Sequence, residues 1–231
     1  MERSNQSSFS LSNSGADQFS TFGFSEFRES SLKRLLDVIL SLLLLTLSLP
    51  FCLIVVFAIK LEDGGPIFYR QERWGRGGTR FGAYKFRTMI PNSEDLYGIK
   101  PAGVNDRRVT FMGRFLRATG LDELPQILNI FLGQMSFVGP RALAIGEVLY
   151  DENGERVNYE EIPDFWQRLS MRPGLTSIAT IYKAKDIPPR KKFRYDLLYI
   201  RKQSFWLDLK LIIVSFYISF HGRWENREKK I

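Results

Sequence analysis

Residues 38–59 read VILSLLLLTLSLPFCLIVVFAI, which is 22 consecutive positions without a charged side chain. An α-helix needs about 20 apolar residues to cross the hydrocarbon core of a bilayer, so this stretch is long enough. A core helix in a soluble domain of this size would show a polar face, and this stretch shows none. The sequence therefore predicts a membrane-embedded helix, to which we assign residues 31–62.

Three arrangements of the apolar stretch compete. A cleaved signal peptide is disfavoured, because a long mixed segment precedes the stretch and Lys60-Leu61-Glu62 follows it in place of small residues at a cleavage site. A single crossing matches the length. A helix that enters the membrane and turns back is suggested by Pro50, since proline removes a backbone donor and clashes with the preceding turn. Ser48 and Pro50 therefore mark a predicted break, and the residues alone leave crossing and re-entry open.

Charge and composition narrow the classes of function. The chain has 33 Lys and Arg against 25 Asp and Glu; the part before residue 38 carries −1 and the part after residue 59 carries +9. The positive-inside rule places the basic part in the cytoplasm, and the excess of cations predicts an anionic partner. Cys52 is the only cysteine of the chain and His221 is the only histidine. Disulfide frameworks and Cys- or His-rich metal sites are therefore excluded.

The rest of the chain predicts an α+β domain, mainly helical. Residues 67–74 and 80–86 are expected to form strands joined by a Gly-rich turn, which is a β-hairpin. A short helix is expected at 113–118, and a longer one at 123–132 with Asp122 as its N-cap.

The remaining segments complete the predicted organisation. Residues 151–164 are acidic and predict a surface loop. Residues 211–220 are apolar but too short to span, and both an interfacial helix and a core helix remain open. The predicted divisions are a mobile tail at 1–30, the membrane helix at 31–62, a membrane-surface domain at 63–223 and a basic tail at 224–231.

The hairpin carries the densest group of cations: Arg70, Arg73, Arg76, Arg80, Lys85 and Arg87. For the residues up to Arg80, attraction to anionic lipid is the simplest interpretation. Lys85 and Arg87 differ, because they flank an aromatic residue at the end of a strand, where binding groups are commonly presented. Both are candidate phosphate-binding residues.

Asp122 and Glu123 are adjacent carboxylates at a predicted helix start, where such pairs usually serve as caps. In the functional alternative, one carboxylate is a nucleophile that forms an acyl phosphate and its neighbour holds Mg²⁺. Phosphoryl transfer also needs cations around the reacting phosphate. Four residues are candidates for that role: Lys85, Arg117, Arg141 and Arg172. Spacing alone leaves both alternatives open.

The order of these motifs resembles the bacterial sugar transferases, and more narrowly the monotopic polyprenyl-phosphate phosphoglycosyl transferases in their minimal form. The resemblance covers residues 31–215. It is carried by Lys33-Arg34 and Asp37, Pro50, Gly65-Pro66-Ile67-Phe68, Gln71-Glu72-Arg73-Trp74-Gly75, Lys85-Phe86-Arg87-Thr88-Met89, Leu121-Asp122-Glu123-Leu124-Pro125-Gln126, Gly139-Pro140-Arg141, Arg172-Pro173-Gly174-Leu175-Thr176 and Phe205-Trp206-Leu207-Asp208.

The resemblance implies an enzyme that transfers a sugar 1-phosphate from a UDP-sugar to a polyprenyl phosphate, usually undecaprenyl phosphate, and releases UMP at the start of surface glycan assembly. It implies a re-entrant helix broken near Pro50, with the catalytic domain on the cytoplasmic face of the bacterial inner membrane. Membrane lipid is then a partner, nucleic acid is not, and a homo-oligomer is compatible with the pattern.

The family pattern also implies roles for single residues. Asp122 would attack the sugar-linked phosphate and form a covalent phosphosugar-enzyme, and Glu123 with Asp122 would hold Mg²⁺. The residues implied to contact phosphates are Lys85, Arg117, Arg141 and Arg172, and Asp196 matches a further acidic position. Ala142, where a proline is common, and Thr176-Ser177-Ile178, in place of Thr-Gly-Trp or Thr-Gly-Leu, depart from the pattern and leave the sugar open.

Three rival functions compete with this interpretation. A membrane-anchored scaffold without catalysis would require the acidic pair and the cationic turns to be coincidental. A glycosyltransferase that releases UDP is the nearer rival, and the nucleotide product separates the two. A nucleic-acid binder is suggested by the basic charge alone, without a recognised motif.

Overall fold

The computed structural model describes residues 17, 19–20, 29–93, 106–147, 149–150, 156–182 and 188–221. The predicted tails fall mostly (1–30) or wholly (224–231) outside these residues. The helices are α1 (Ser31–Asp63), α2 (Phe111–Thr119), α3 (Gln126–Phe131), α4 (Phe165–Arg168), α5 (Ile178–Tyr182), α6 (Pro189–Lys202) and α7 (Phe205–Phe220), and the strands are β1 (Phe68–Trp74), β2 (Arg80–Phe86), β3 (Ser136–Val138), β4 (Leu149–Tyr150), β5 (Arg156–Val157) and β6 (Gly174–Thr176). The predicted mainly helical α+β architecture is confirmed.

Helix α1 contains the apolar stretch and ends one residue beyond the predicted limit. Ser30 caps its start by accepting from the Lys33 backbone N–H at 3.2 Å, and Gly64, at φ 69°, ends it. Its most apolar window has a mean hydropathy of 2.8 and is 11% buried, so in the part of the chain described it is the one helix long and apolar enough to cross a membrane. Pro50 lies inside the helix, which does not end there.

The globular domain holds the first turns of α1. The Lys33 ammonium is buried and donates to Asp208 at 3.0 Å, to the Tyr199 hydroxyl at 3.1 Å and to the Val138 carbonyl at 2.8 Å. One turn later, Asp37 accepts from the Ser136 hydroxyl and the Phe137 backbone N–H. Buried charges are tolerated only when paired in this way, so the network fixes how α1 docks.

The same domain also holds the last turn of α1. Asp63 forms an ion pair with Arg87 at the end of β2. Glu62 accepts from the backbone N–H groups of Phe111 and Met112, at 2.6 and 3.2 Å, and so caps the start of α2. Between the two attachments α1 leaves large apolar side chains exposed: Leu42, Leu43, Leu47, Leu49, Leu53, Ile54 and Phe57.

Strands β1 and β2 form the predicted antiparallel hairpin, in register from Phe68↔Phe86 to Trp74↔Arg80. Its turn contains Gly77 and Gly78 at φ 65° and 74°, a conformation that favours glycine because it has no Cβ. Asn129 of α3 bonds to the backbone of β2, accepting from Tyr84 N–H at 3.1 Å and donating to the Gly82 carbonyl at 2.8 Å. The hairpin is therefore fixed against α3.

Strands β3 and β6 are parallel and bring two Gly/Pro turns together. The Gly174 backbone N–H donates to the Pro140 carbonyl at 2.8 Å, and that of Gly139 donates to the Thr176 carbonyl at 3.1 Å. A Cβ on Gly174 would lie 2.1 Å from the Gly139 nitrogen, so the approach requires glycine.

The longer helix expected at 123–132 is shorter than predicted. The chain forms a 3₁₀ turn at Leu121–Glu123 and starts α3 at Gln126. Gly120, at φ 73°, ends α2, and Pro125 has no N–H to extend α3 backwards. Asp122 therefore lies within the turn, and the prediction that it caps a helix is wrong.

Two segments show more structure than expected. Within the loop predicted at 151–164, the described part contains β5 and a 3₁₀ turn at Tyr159–Glu161. Phe19, from the predicted tail, is only 4% exposed and packs into an aromatic cluster with Trp74, Tyr159 and Phe165. Helix α7 buries one face and exposes the other, so it has features of both the core and the interfacial alternatives.

Lys33→Met should destabilise the protein by about 3–5 kcal/mol, because it removes the counter-ion of the buried Asp208 carboxylate. Thermal unfolding in detergent should show a decrease of about 10 °C in Tm. Lys60→Met, at the exposed far end of the same helix, is the matched control and should change stability by less than about 1 kcal/mol. Equal effects of the two substitutions would contradict a docking role for Lys33.

Candidate active site

The two adjacent carboxylates and Lys85 form the centre of the site. The 3₁₀ turn holds Asp122 and Glu123 where β2 ends. The Lys85 ammonium, near the end of β2, lies 2.5 Å from Glu123 Oε1 and 3.8 Å from Asp122 Oδ2. The Asp122 side chain is 14% exposed, so it is reachable by a ligand while largely shielded from water.

The surroundings separate the pKa values of the two carboxyl groups. Burial raises the pKa of Asp122 to about 6, with a contribution from the negative charge of Glu123, although Lys85 and Arg117 oppose the rise. Burial also acts to raise the pKa of Glu123, but Lys85, Arg73 and Arg141 outweigh it and hold that pKa well below its usual value. Glu123 therefore stays ionised, whereas Asp122 becomes fully ionised only above neutral pH.

This arrangement has the components of a phosphoryl-transfer site. A partly desolvated carboxylate is a more effective nucleophile than one in water, and an ionised neighbour can hold a divalent cation. The described residues contain no group of three or more acidic, His or Cys side chains able to hold a metal ion alone. Two carboxylates suit Mg²⁺ nevertheless, because it commonly takes one or two protein carboxylates and completes its shell with water and substrate phosphates.

Two of the predicted cations act on this centre. Arg117, in the last turn of α2, lowers the pKa of Asp122. Arg141, exposed in the turn after β3, acts on Glu123 in the same direction. Together with Lys85, they bring positive charge to the acidic pair from three different elements, and a transferred phosphate requires such charge.

Three other predicted residues are engaged elsewhere in ion pairs that join elements of the fold. Arg87 pairs with Asp63, Arg172 with Glu29 and Asp37, and Asp196 with Arg168 at 2.5 Å. Among the described contacts none of the three bonds to Asp122 or Glu123. Ser48 and Pro50 lie within the apolar helix α1.

Arg73 and Gln71 were not identified as site residues from the sequence. Tyr69 pairs with Lys85 across the hairpin, and paired residues lie on the same face of the sheet. Gln71 and Arg73 follow Tyr69 by two and four residues, so they lie on that face as well. The buried Arg73 guanidinium donates to Gln71 Oε1 at 3.1 Å and to the Ala142 carbonyl at 3.2 Å. It therefore supports the turn that carries Arg141. Gln71 and Arg73 are two residues apart in a predicted strand and so lie on one face of it, opposite to Glu72. This alternation is the signal in the sequence that could have distinguished Gln71 and Arg73 from the solvent-exposed cations of the hairpin.

A model of the family described as bacterial sugar transferase matches residues 28–222. The exopolysaccharide production protein PSS of Rhizobium leguminosarum bv. phaseoli is 39% identical over 186 residues, which cover 78% of this chain and 91% of that protein. Two UDP-glucose:undecaprenyl-phosphate glucose-1-phosphate transferases also match. The protein from Klebsiella pneumoniae is 40% identical over 193 residues, and that from Xanthomonas campestris pv. campestris is 35% identical over 222 residues.

The matches cover different shares of these relatives. The Klebsiella alignment covers 81% of this chain and the Xanthomonas alignment covers 90%. They extend over only 40% and 44% of the two relatives, so this chain spans less than half of their length.

Asp122→Asn should raise Tm at pH 8, because it removes a buried charge. The folded state binds the Asp122 proton more tightly than the unfolded chain does. The destabilisation by the ionised Asp122 carboxylate is therefore absent below about pH 4 and develops as the pH rises through 6. A rise from 3.8 to about 6 corresponds to at most about 3 kcal/mol. Thermal unfolding between pH 4 and pH 8 measures the difference.

Asp164→Asn is the matched control for this prediction. Asp164 is exposed and has φ 72°, a conformation that asparagine also tolerates, so this change should be small at every pH. A stability gain in Asp122→Asn that does not depend on pH, or a loss at pH 8, would contradict the assignment of a raised pKa to Asp122.

Proposed function

The chain belongs to the bacterial sugar transferase family, and from that premise we propose that it transfers a sugar 1-phosphate from a UDP-sugar to undecaprenyl phosphate, with release of UMP. The observation that carries the proposal is the convergence of Asp122, Glu123 and Lys85 in one partly desolvated site. The names of the relatives support the substrate class, since two of them are glucose-1-phosphate transferases that use UDP-glucose and undecaprenyl phosphate. Exopolysaccharide synthesis is the surface-glycan pathway that the Rhizobium relative favours.

In the first half-reaction, a carboxylate oxygen of Asp122 attacks the sugar-linked phosphorus. A phosphorus–oxygen bond to Asp122 forms, the bond to the UMP oxygen breaks, and UMP leaves with the electron pair. Lys85, Arg117 and Arg141 offset the negative charge on the equatorial oxygens. The partial burial of Asp122 leaves its carboxylate weakly solvated and ready to attack.

In the second half-reaction, a phosphate oxygen of undecaprenyl phosphate attacks the same phosphorus. The bond to Asp122 breaks, which restores the free carboxylate and yields the polyprenyl diphosphate sugar. Attack from the lipid requires a site close to the membrane surface. Glu62 of α1 caps the start of α2, so α2 begins beside the membrane helix. The nine residues of α2 span about 14 Å and lead directly to the turn with Asp122, which places Asp122 close to the membrane surface.

We assign the Mg²⁺ site to Glu123 and Asp122. Glu123 suits the role because its carboxylate stays ionised, and the pair leaves coordination positions for substrate oxygens and water. When bound, Mg²⁺ would neutralise part of the charge on the pyrophosphate. Lys85 remains the cation closest to both carboxylates and orients them.

We further propose that α1 enters the membrane and returns to the same side. A straight helix of 33 residues is about 50 Å long, more than the thickness of a bilayer. Yet one polar domain binds its first turn through Lys33 and its last turn through Asp63. Re-entry near Pro50 allows both attachments on one side, whereas a crossing would place them on opposite sides. The net positive charge of the domain that follows α1 then favours its location on the cytoplasmic face of the inner membrane.

Release of nucleotide is the direct test of the proposed reaction. The protein in nanodiscs with Mg²⁺ and undecaprenyl phosphate is expected to release UMP from one member of a panel of UDP-sugars. Asp122→Asn should reduce the rate by at least about 10³-fold, because no nucleophile remains, while membrane association is unchanged. Release of UDP would instead support the glycosyltransferase, and clear transfer by the variant would reject Asp122 as nucleophile.

Accessibility of the two termini tests re-entry. Single-cysteine tags at the N- and C-terminus of a Cys52→Ser protein should both resist a membrane-impermeant maleimide in intact cells and react after lysis. A tag on an established periplasmic loop provides the positive control. Labelling of the N-terminal tag alone in intact cells would show a spanning helix and contradict re-entry.

A further inference from the structure

Gln71 lies beside the acidic pair, and none of the roles assigned above uses its amide nitrogen. On the face of the hairpin that carries Lys85, Gln71 pairs with Ala83 and is a diagonal neighbour of Lys85. Diagonal neighbours on one face lie about 7–8 Å apart, within reach of long side chains. Because the Lys85 ammonium is close to both carboxylates, Gln71 belongs to the same site.

The contact with Arg73 fixes the orientation of the Gln71 amide. A guanidinium has N–H groups and no acceptor, so the amide oxygen must face it, and Arg73 donates to Gln71 Oε1 at 3.1 Å. Arg73 is itself buried, and the Ala142 carbonyl accepts from it at 3.2 Å. The Gln71 NH₂ group therefore points away from Arg73 and cannot exchange places with the oxygen.

The NH₂ group of Gln71 is available to a ligand. Gln71 is partly exposed, and its amide nitrogen is not enclosed by the protein. Among the residues that the structure describes, no acceptor lies within hydrogen-bond distance of this nitrogen. The amide nitrogen of Asn129, against the same hairpin, differs because it donates to the Gly82 carbonyl and to Gln134 Oε1. Asn129 is thus a structural amide, whereas Gln71 keeps its N–H groups unused.

A purely structural role would favour a carboxylate in place of the Gln71 amide. A buried guanidinium is matched best by a carboxylate, because a charge-assisted hydrogen bond is stronger than one to a neutral amide. Elsewhere in the domain, the buried Arg168 guanidinium pairs with the Asp196 carboxylate. The buried Arg172 pairs with Glu29 in the same way. Glutamine makes a weaker bond to Arg73 but retains two N–H groups for another partner.

The surrounding charges favour a neutral oxygen as that partner. Lys85, Arg117 and Arg141 already supply the cations that the phosphates of a UDP-sugar require. A neutral amide adds little to phosphate binding, but a few placed polar groups of this kind commonly orient a ligand and determine specificity. The sugar is bonded to the phosphate that Asp122 would attack, so the oxygens of the sugar lie next to that phosphate.

We propose that Gln71 donates a hydrogen bond to a neutral oxygen of the sugar and so helps to select the UDP-sugar. The assignment rests on the proposed function, because it places the sugar-linked phosphate at Asp122. A sugar that lacks this oxygen, or presents it in another direction, leaves the N–H group of Gln71 without an acceptor. Such a mismatch lowers the rate with the wrong sugar relative to the right one.

Kinetics of the full chain in nanodiscs, with a panel of UDP-sugars, test the assignment. Gln71→Met removes the N–H groups at similar size and should lower kcat/KM for the preferred UDP-sugar about tenfold, the effect of one neutral hydrogen bond. Selectivity over at least one UDP-sugar that differs at a single carbon should fall by the same factor. The inhibition constant of UDP, which has both phosphates but no sugar, should not change. Glu72→Met, exposed on the opposite face of β1, is the matched control.

Gln71→Glu separates donation to the sugar from support of Arg73. This variant keeps an oxygen opposite Arg73 and removes the N–H groups, so selectivity should fall as it does in Gln71→Met. The added negative charge slows all UDP-sugars alike and leaves their ratio unaffected. Wild-type selectivity in Gln71→Glu would show that Gln71 only supports Arg73 and would overturn the assignment. If Gln71→Met unfolds at a lower temperature than the wild type, Gln71→Glu carries the test.

The remaining outcomes separate this inference from the proposed reaction. A raised inhibition constant of UDP with unchanged selectivity would place a phosphate at Gln71, so the sugar assignment would be wrong while the transfer reaction stands. Unchanged kinetics of both variants with active wild type would also reject the assignment alone. If the wild type releases UMP from none of the UDP-sugars, the proposed function fails, and the sugar assignment fails with it.

Discussion

The attachment of one polar domain to both ends of an apolar helix is the constraint on which the rest of the structure depends. At the first turn, the buried ammonium of Lys33 is matched by Asp208, Tyr199 and a backbone carbonyl. At the last turn, Glu62 caps the start of α2 and Asp63 forms an ion pair with Arg87. At the first turn an isolated buried charge would be costly, so the contacts of Lys33 restrict how α1 can dock on the domain. The carboxylate pair follows α2 directly, and its distance from the apolar helix is thereby fixed.

The candidate active site contains the same kind of interaction between buried charges. Glu123 is stabilised as an anion by Lys85, Arg73 and Arg141, whereas Asp122 is destabilised as an anion by burial. Neighbouring carboxyl groups in different surroundings commonly serve different chemical roles. In the mechanism proposed above, this difference in pKa suits Glu123 to metal binding and Asp122 to nucleophilic attack. A carboxyl group whose anion is destabilised by burial costs folding free energy, as functional sites commonly do.

Much of the fold could be predicted from local patterns, because hydrophobic runs and turn residues act over short distances. The apolar helix and both strands of the hairpin were predicted to within one residue at each end. Asp122 and Lys85 could be singled out by motif, but their proximity depends on tertiary packing. Local patterns could not reveal the partners of Arg172, since Glu29 lies 143 residues away in the chain. An arginine in a Pro/Gly turn looks the same whether it binds phosphate or a distant carboxylate. The 3₁₀ turn at Asp122 was missed because the apolar spacing indicated a longer helix than Gly120 and Pro125 allow.

The most direct test of the account is to trap the covalent intermediate. The protein is incubated with Mg²⁺ and its UDP-sugar in the absence of undecaprenyl phosphate, quenched in acid and analysed by mass spectrometry before and after peptide digestion. We expect a mass increase of one sugar phosphate on the peptide that contains Asp122, and loss of that mass when undecaprenyl phosphate is added before the quench. Stoichiometric release of UMP from a protein that stays unmodified, or an adduct on a different residue, would contradict the central role of Asp122.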